Sequence, residues 1–165
     1  LLGGDISNIA DGIKDIESEV DNLTKQGGQI AVDSLHGLSN SDFNASIEAA
    51  IQAHINWVKN LKDMVEKGHA QPLQTDEHRC GFGHFYYSVE PKSEKILHLW
   101  KEVEKYHSEL HSKGETVIEL LNNGDTYKAV QVAGEAEKQS EAIVGIFSKM
   151  LEISNEMEAA GQRVF

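Results

Sequence analysis

The chain has 165 residues, 39% hydrophobic and 25% charged, with 15 Lys and Arg against 27 Asp and Glu for a formal charge of −12. Such an acidic chain repels phosphate backbones and anionic headgroups, and no Lys/Arg cluster is dense enough to offset this, which argues against nucleic acid and membrane surfaces as partners. No run approaches the roughly 18 apolar residues of a membrane-inserting span, and a single cysteine excludes an internal disulfide framework.

The chain starts Leu1-Leu2-Gly3-Gly4-Asp5, without the charged region or hydrophobic stretch of a signal peptide and without an initiating Met. A cytoplasmic location within a longer protein is therefore expected. Ile6, Ile9, Ile13, Ile16, Val20 and Leu23 follow at spacings of 3, 4, 3, 4 and 3. That narrow heptad seam predicts a coiled-coil arm and a homodimer; the competing reading is a helix packed on its own domain. Gly27-Gly28 interrupts the seam, since each glycine weakens a helix by about 1 kcal/mol relative to Ala. The expected division is a coiled-coil arm and linker over 1–40 and a helical bundle domain over 41–165.

Leu35 and Leu38 precede Ser39-Asn40-Ser41-Asp42, which supplies several N-caps for a helix from about 43 to 67. Its apolar face is Ile47, Ala50, Ile51, His54, Trp57, Val58, Leu61 and Val65, and Gly68 is its stop. Residues 69–92 hold both prolines, Pro72 and Pro91, and Gly81-Phe82-Gly83, a long connection with a short helical turn around Cys80. From Ser93 a helix runs to about Asn122 with Ile96, Trp100, Val103, His107, Leu110, Val117 and Leu121 inward, and Asn123-Gly124 forms a left-handed cap. Asp125 or Thr126 begins the last helix, with Val130, Ala133, Ile143, Phe147, Met150 and Leu151 inward to near Ala160. No segment sustains period-two alternation. The fold class is all-α, a four-helix-type bundle with a short Cys-bearing helical turn.

Four residues carry the chemistry. His107 and His111 lie one helical turn apart on one face, and His54 and His107 both fall on faces that their helices must bury. A lone buried histidine is commonly a satisfied core residue, and a lone cysteine is a buried apolar thiol, a redox thiol or a metal ligand. A buried imidazole needs partners for both ring nitrogens, however, and a shared metal would satisfy several imidazoles together. His54, Cys80, His107 and His111 make a set of the coordination number and ligand types that zinc favours. His69 and His78 lie in polar loop sequence, His84 is placed beside the site or at the surface, and His36 and His98 have no partner at ligand spacing. Asp76 and Glu77 are candidates to accept a ligand's free imidazole N–H or are a solvated acidic turn. Trp57 and Trp100 are expected to pack the core.

His54 with Trp57, Cys80-Gly81-Phe82-Gly83-His84-Phe85 and His107-Ser108-Glu109-Leu110-His111 resemble the pattern of the chemoreceptor zinc-binding domain, a regulatory module of bacterial chemoreceptors and some diguanylate cyclases. The resemblance covers about residues 47–151, with Phe85 where many members have Trp. It implies that the metal is zinc, held by all four residues. It further implies a sensor of zinc, or of oxidants such as hypochlorous acid, with output to a chemotaxis kinase complex or another signalling domain. Three imidazoles and a thiolate leave no open position for a catalytic water, so the protein is read as no enzyme. The alternatives are a structural, zinc-stapled dimerisation module and a non-haem iron bundle, for which Glu104-Lys105-Tyr106-His107 supplies a single Glu-x-x-His motif.

Overall fold

Residues 37–165 are described by a computed structural model, and among them the chain forms four helices and no strand. The predicted arm up to Leu23, the Gly27-Gly28 break and His36 lie outside the described residues. Ser39–Phe165 packs as one unit. Its helices are α1 (Asn40–Lys67), α2 (Gly81–Tyr86), α3 (Glu94–Asn122) and α4 (Thr126–Ala159).

The α1 N-terminus is set by Ser39, whose hydroxyl accepts from the Asp42 N–H while the Asp42 carboxylate accepts from the Ser39 N–H at 2.8 Å. This reciprocal capping box satisfies two amides that an α-helix leaves without partners, and it starts the helix a few residues earlier than the hydrophobic pattern indicates. Gly68, at φ 72°, ends it in the left-handed conformation that glycine adopts without steric penalty. Phe43, Ile47, Ala50, His54, Trp57, Leu61 and Met64 recur at three- and four-residue spacing and are all buried. Gly124, at φ 78°, turns the chain between α3 and α4, and the Asp125 carboxylate accepts from the Lys128 N–H to cap α4. On α4 the residues Ala129, Ala133, Ala136, Ile143, Phe147 and Met150 are buried, whereas Val130 is 54% exposed. Val130 directly follows Ala129, so its side chain lies about 100° around the helix from that buried position.

Helix α4 lies along both α3 and α1, whose own backbones approach each other at few points. Aromatic side chains of the short α2 pack into this region: Phe82 lies 4.7 Å from Phe147 of α4 and 5.9 Å from Trp100 of α3. Phe85 of the same helix packs on Phe43 of α1 and on Trp100. At one end Asn40, almost wholly buried, donates to the Gln162 carbonyl at 2.9 Å and accepts from the Val164 N–H at 2.9 Å. The Val164 carbonyl in turn accepts from the N–H groups of Lys92 and Ser93. The C-terminal tail thereby joins the start of α1 to the start of α3.

Candidate metal centre

Three of the four residues expected at the site come from two long helices. His54 sits midway along α1, and His107 and His111 lie one turn apart on α3. All three are buried, at 4%, 1% and 2% exposure, and one ligand nitrogen from each lies within 4.8 Å of the other two. The amphipathic pattern places them so, because each occupies a core-facing position among Ala50, Trp57, Val103 and Leu110.

Their protonation states follow from their partners. His54 Nδ1 lies 2.6 Å from the Ala50 carbonyl and His111 Nδ1 lies 3.0 Å from the Gln74 carbonyl. A carbonyl oxygen only accepts, so each Nδ1 carries the hydrogen and each neutral ring presents a lone pair on Nε2. His54 Nε2 is fully buried and has no hydrogen-bond partner among the described residues. Burial pushes His54 down to about 4, against the opposing effect of the Ala50 carbonyl. It pushes His107 down to about 3, with His54 and His111 adding to the effect. His111 is also lowered by burial, opposed by the Gln74 carbonyl and by Glu77 and Asp76. At neutral pH the cluster is three neutral imidazoles, the protonation state that a metal requires.

Cys80 reaches the cluster from the N-cap of α2. Its sulfur accepts from the Gly83 N–H at 3.2 Å and stands 3.2 Å from His107 Nε2. It meets this one imidazole and is not part of the mutual group of three. Burial pushes the thiol up, offset by the N–H groups of Gly83 and Phe82 and reinforced by Glu77 and Asp76. A cavity of about 50 Å³, lined among others by His54, Cys80, Phe82 and His111, adjoins the group. The donor set fits zinc: nitrogen and sulfur donors converge, and one buried lone pair has no partner among the described residues.

Two roles are open to Asp76 and Glu77 from the sequence, acceptor of a ligand's imidazole N–H or part of an acidic turn. Asp76 and Glu77 do not hold a ligand ring. Asp76 accepts from the His78 N–H within its own turn, and Glu77 accepts from the Ser108 hydroxyl. Backbone carbonyls of Ala50 and Gln74 take the imidazole protons instead, and a carbonyl has no sequence signature. Trp57 packs on His111, as expected of a core residue, but its indole N–H also donates to the Gln74 carbonyl at 2.7 Å. Two glycines have roles that composition does not reveal. A Cβ on Gly83 would stand 1.8 Å from the Glu77 carbonyl oxygen, and one on Gly114 would stand 2.6 Å from the Trp57 ring. Gly114 carries a readable signal, since glycine within a helix is unfavourable and calls for a packing reason. His69, His84 and His98 are exposed, and His78 is exposed while stacking on Tyr87 at 4.2 Å.

Residues 54–118 match the family model of the chemoreceptor zinc-binding domain. That segment contains all four residues His54, Cys80, His107 and His111. Comparison with curated proteins and with solved structures gave no match.

Proposed function

With residues 54–118 identified as a chemoreceptor zinc-binding domain, we propose that the protein is the sensory zinc module of a cytoplasmic signalling protein. In this reading zinc is held by His54, Cys80, His107 and His111. The carrying observation is the buried, unpartnered His54 Nε2 among three imidazoles whose ligand atoms lie within 4.8 Å. A buried nitrogen without a partner costs about 1–3 kcal/mol, a cost that an ion bound to its lone pair removes. Zinc, when bound, supplies a Lewis-acid centre that keeps the thiolate deprotonated.

The chain's own part is to hold the thiol at a helix end and link it to the bundle. Cys80 caps α2, and α2 carries Phe82 against His54, His107 and Phe147, and Phe85 against Phe43 in the first turn of α1. Release of Cys80 would loosen the contacts of Phe82 and Phe85, and with them the start of α1, where the proposed arm leads to an output domain or chemotaxis kinase complex. Hypochlorous acid is the proposed releasing oxidant: RS⁻ + HOCl → RSOH + Cl⁻, the sulfur losing two electrons to chlorine. The sulfenic acid sulfur is a poorer ligand than the thiolate.

Catalysis at the metal centre is not favoured, because the cavity of about 50 Å³ beside it holds a water molecule or two but no organic substrate. A non-haem iron centre is disfavoured as well, since Glu104 of the Glu-x-x-His motif is exposed and accepts from the Tyr86 hydroxyl at 3.3 Å. A zinc staple that never exchanges uses the same ligands and differs only in its response. Metal analysis should give one zinc per chain, with affinity lost in His54→Ala and His107→Ala and weakened in Cys80→Ala. Full occupancy and unchanged affinity in any of these variants would remove that residue from the ligand set.

A further inference from the structure

We infer that Trp57 is a positioning residue of the metal centre, acting on His111 through the backbone carbonyl of Gln74. The inference rests on the reading of His111 as a ligand. The Gln74 oxygen receives two donors, the Trp57 indole N–H at 2.7 Å from α1 and His111 Nδ1 at 3.0 Å from α3. A carbonyl oxygen has two lone pairs, and these two bonds use both. The indole therefore fixes where the oxygen stands, and the oxygen fixes which nitrogen of His111 carries the hydrogen. With Nδ1 protonated, Nε2 is the atom left to bind.

The packing has the same arrangement. The Trp57 ring lies edge to face with the His111 imidazole at 5.3 Å. It also crosses α3 at Gly114, one turn beyond His111, where a Cβ would come within 2.6 Å of the ring. Leu73, next to Gln74, packs at the same point, 3.5 Å from that Cβ position. The Gln74 side chain accepts from the Asp76 N–H at 3.0 Å, which fixes the turn leading to Cys80. A tryptophan serving only to fill volume would require the glycine opposite its ring but not the carbonyl shared with His111. Groups that hold a ligating histidine's second nitrogen change metal affinity by roughly 10- to 100-fold when removed. Trp57 lies one step further out, so its loss belongs at the low end of that range.

The test is Trp57→Phe, which keeps an aromatic ring at this position and removes the N–H together with the outer indole atoms that face Gly114. Nitrogen-15 NMR of the metal-free protein reads the tautomers, and competition with a chelator reads zinc affinity. The expected result is a mixed tautomer at His111, an unchanged Nδ1–H form at His54 and zinc affinity lower by about 10-fold. If His111 keeps its Nδ1–H form in the variant, the inference is overturned, whether or not affinity falls, because a purely structural role would leave the tautomer alone. Should Trp57→Phe fail to fold, the wild type decides: a metal-free protein in which His111 is not predominantly Nδ1–H, or in which the Trp57 indole N–H exchanges as fast as a free one, overturns it equally. His111→Ala separates the two readings. Retained zinc affinity there would remove His111 from the ligand set, while the tautomer of His111 in Trp57→Phe would still test the link through Gln74.

Discussion

At the scale of single residues, the three buried imidazoles make the metal-free protein sensitive to acid. Burial holds His54 at about 4 and His107 at about 3, below the ordinary 6.5 that each has when the chain unfolds. Above pH 6.5 both states are neutral and the groups contribute no pH dependence. As pH falls from there toward 4 the unfolded chain takes up protons that the folded one refuses, so stability decreases through that window and levels off below the folded values. Denaturant melts of metal-free protein between pH 7.5 and 3.5 should follow this course, and a flat profile would show that the rings are not buried neutral. Zinc should protect at neutral pH and lose that effect as acid competes for the same nitrogens.

At the scale of elements, α2 and the tail are the informative pieces. Gly83→Ala places a methyl group 1.8 Å from the Glu77 carbonyl oxygen, so α2 and the turn before it must separate. The expected outcome is zinc affinity reduced at least tenfold with helical circular dichroism nearly unchanged, because α1, α3 and α4 do not depend on that contact. Wild-type affinity in this variant would show that the approach of the two backbones does not position Cys80. Asn40→Ala removes the donor to Gln162 and the acceptor from Val164. It should cost about 1–3 kcal/mol in a denaturant titration. Phe147→Ala, which empties a fully buried position against Phe82 and His54, should cost about 3–5 kcal/mol.

At the scale of the whole molecule, signalling from the bundle requires the expected arm, which lies outside the described residues. The seam from Ile6 to Leu23 is expected to hold a parallel homodimer, since one narrow apolar stripe suits one partner helix. Sedimentation should show a dimer that Ile13→Asp or Ile16→Asp weakens, and a monomeric wild type would end that reading. No helix among the described residues is long and apolar enough to cross a membrane. For the oxidant response, hydrogen exchange over residues 76–88 should quicken when zinc-loaded wild type meets stoichiometric hypochlorous acid, and Cys80→Ala should not respond. Absence of both Cys80 modification and any change in that segment would leave zinc sensing or a structural staple as the role. One cysteine per chain means that recovery needs an external thiol or a disulfide between chains.

The helices of the bundle, their caps and most of their buried faces were legible in the sequence, because a 3.6-residue period and a capping residue are local properties. Ser39, Gly68, Gly124 and Asp125 could be read in this way, and so could the burial of His54 and His107. Val130 was misread because hydrophobicity alone does not decide which of two neighbouring positions faces the core. The family match was legible as well, since it rests on residue types at fixed spacing. What only the tertiary structure decided is which atoms meet. The imidazole protons go to the carbonyls of Ala50 and Gln74 rather than to Asp76 or Glu77, and Cys80 stands against His107. Gly83 and Gly114 are small because a backbone and an indole ring pass close to them. Those contacts join segments far apart along the chain, and a carbonyl oxygen or an empty Cβ position gives no sign in the sequence of what will approach it.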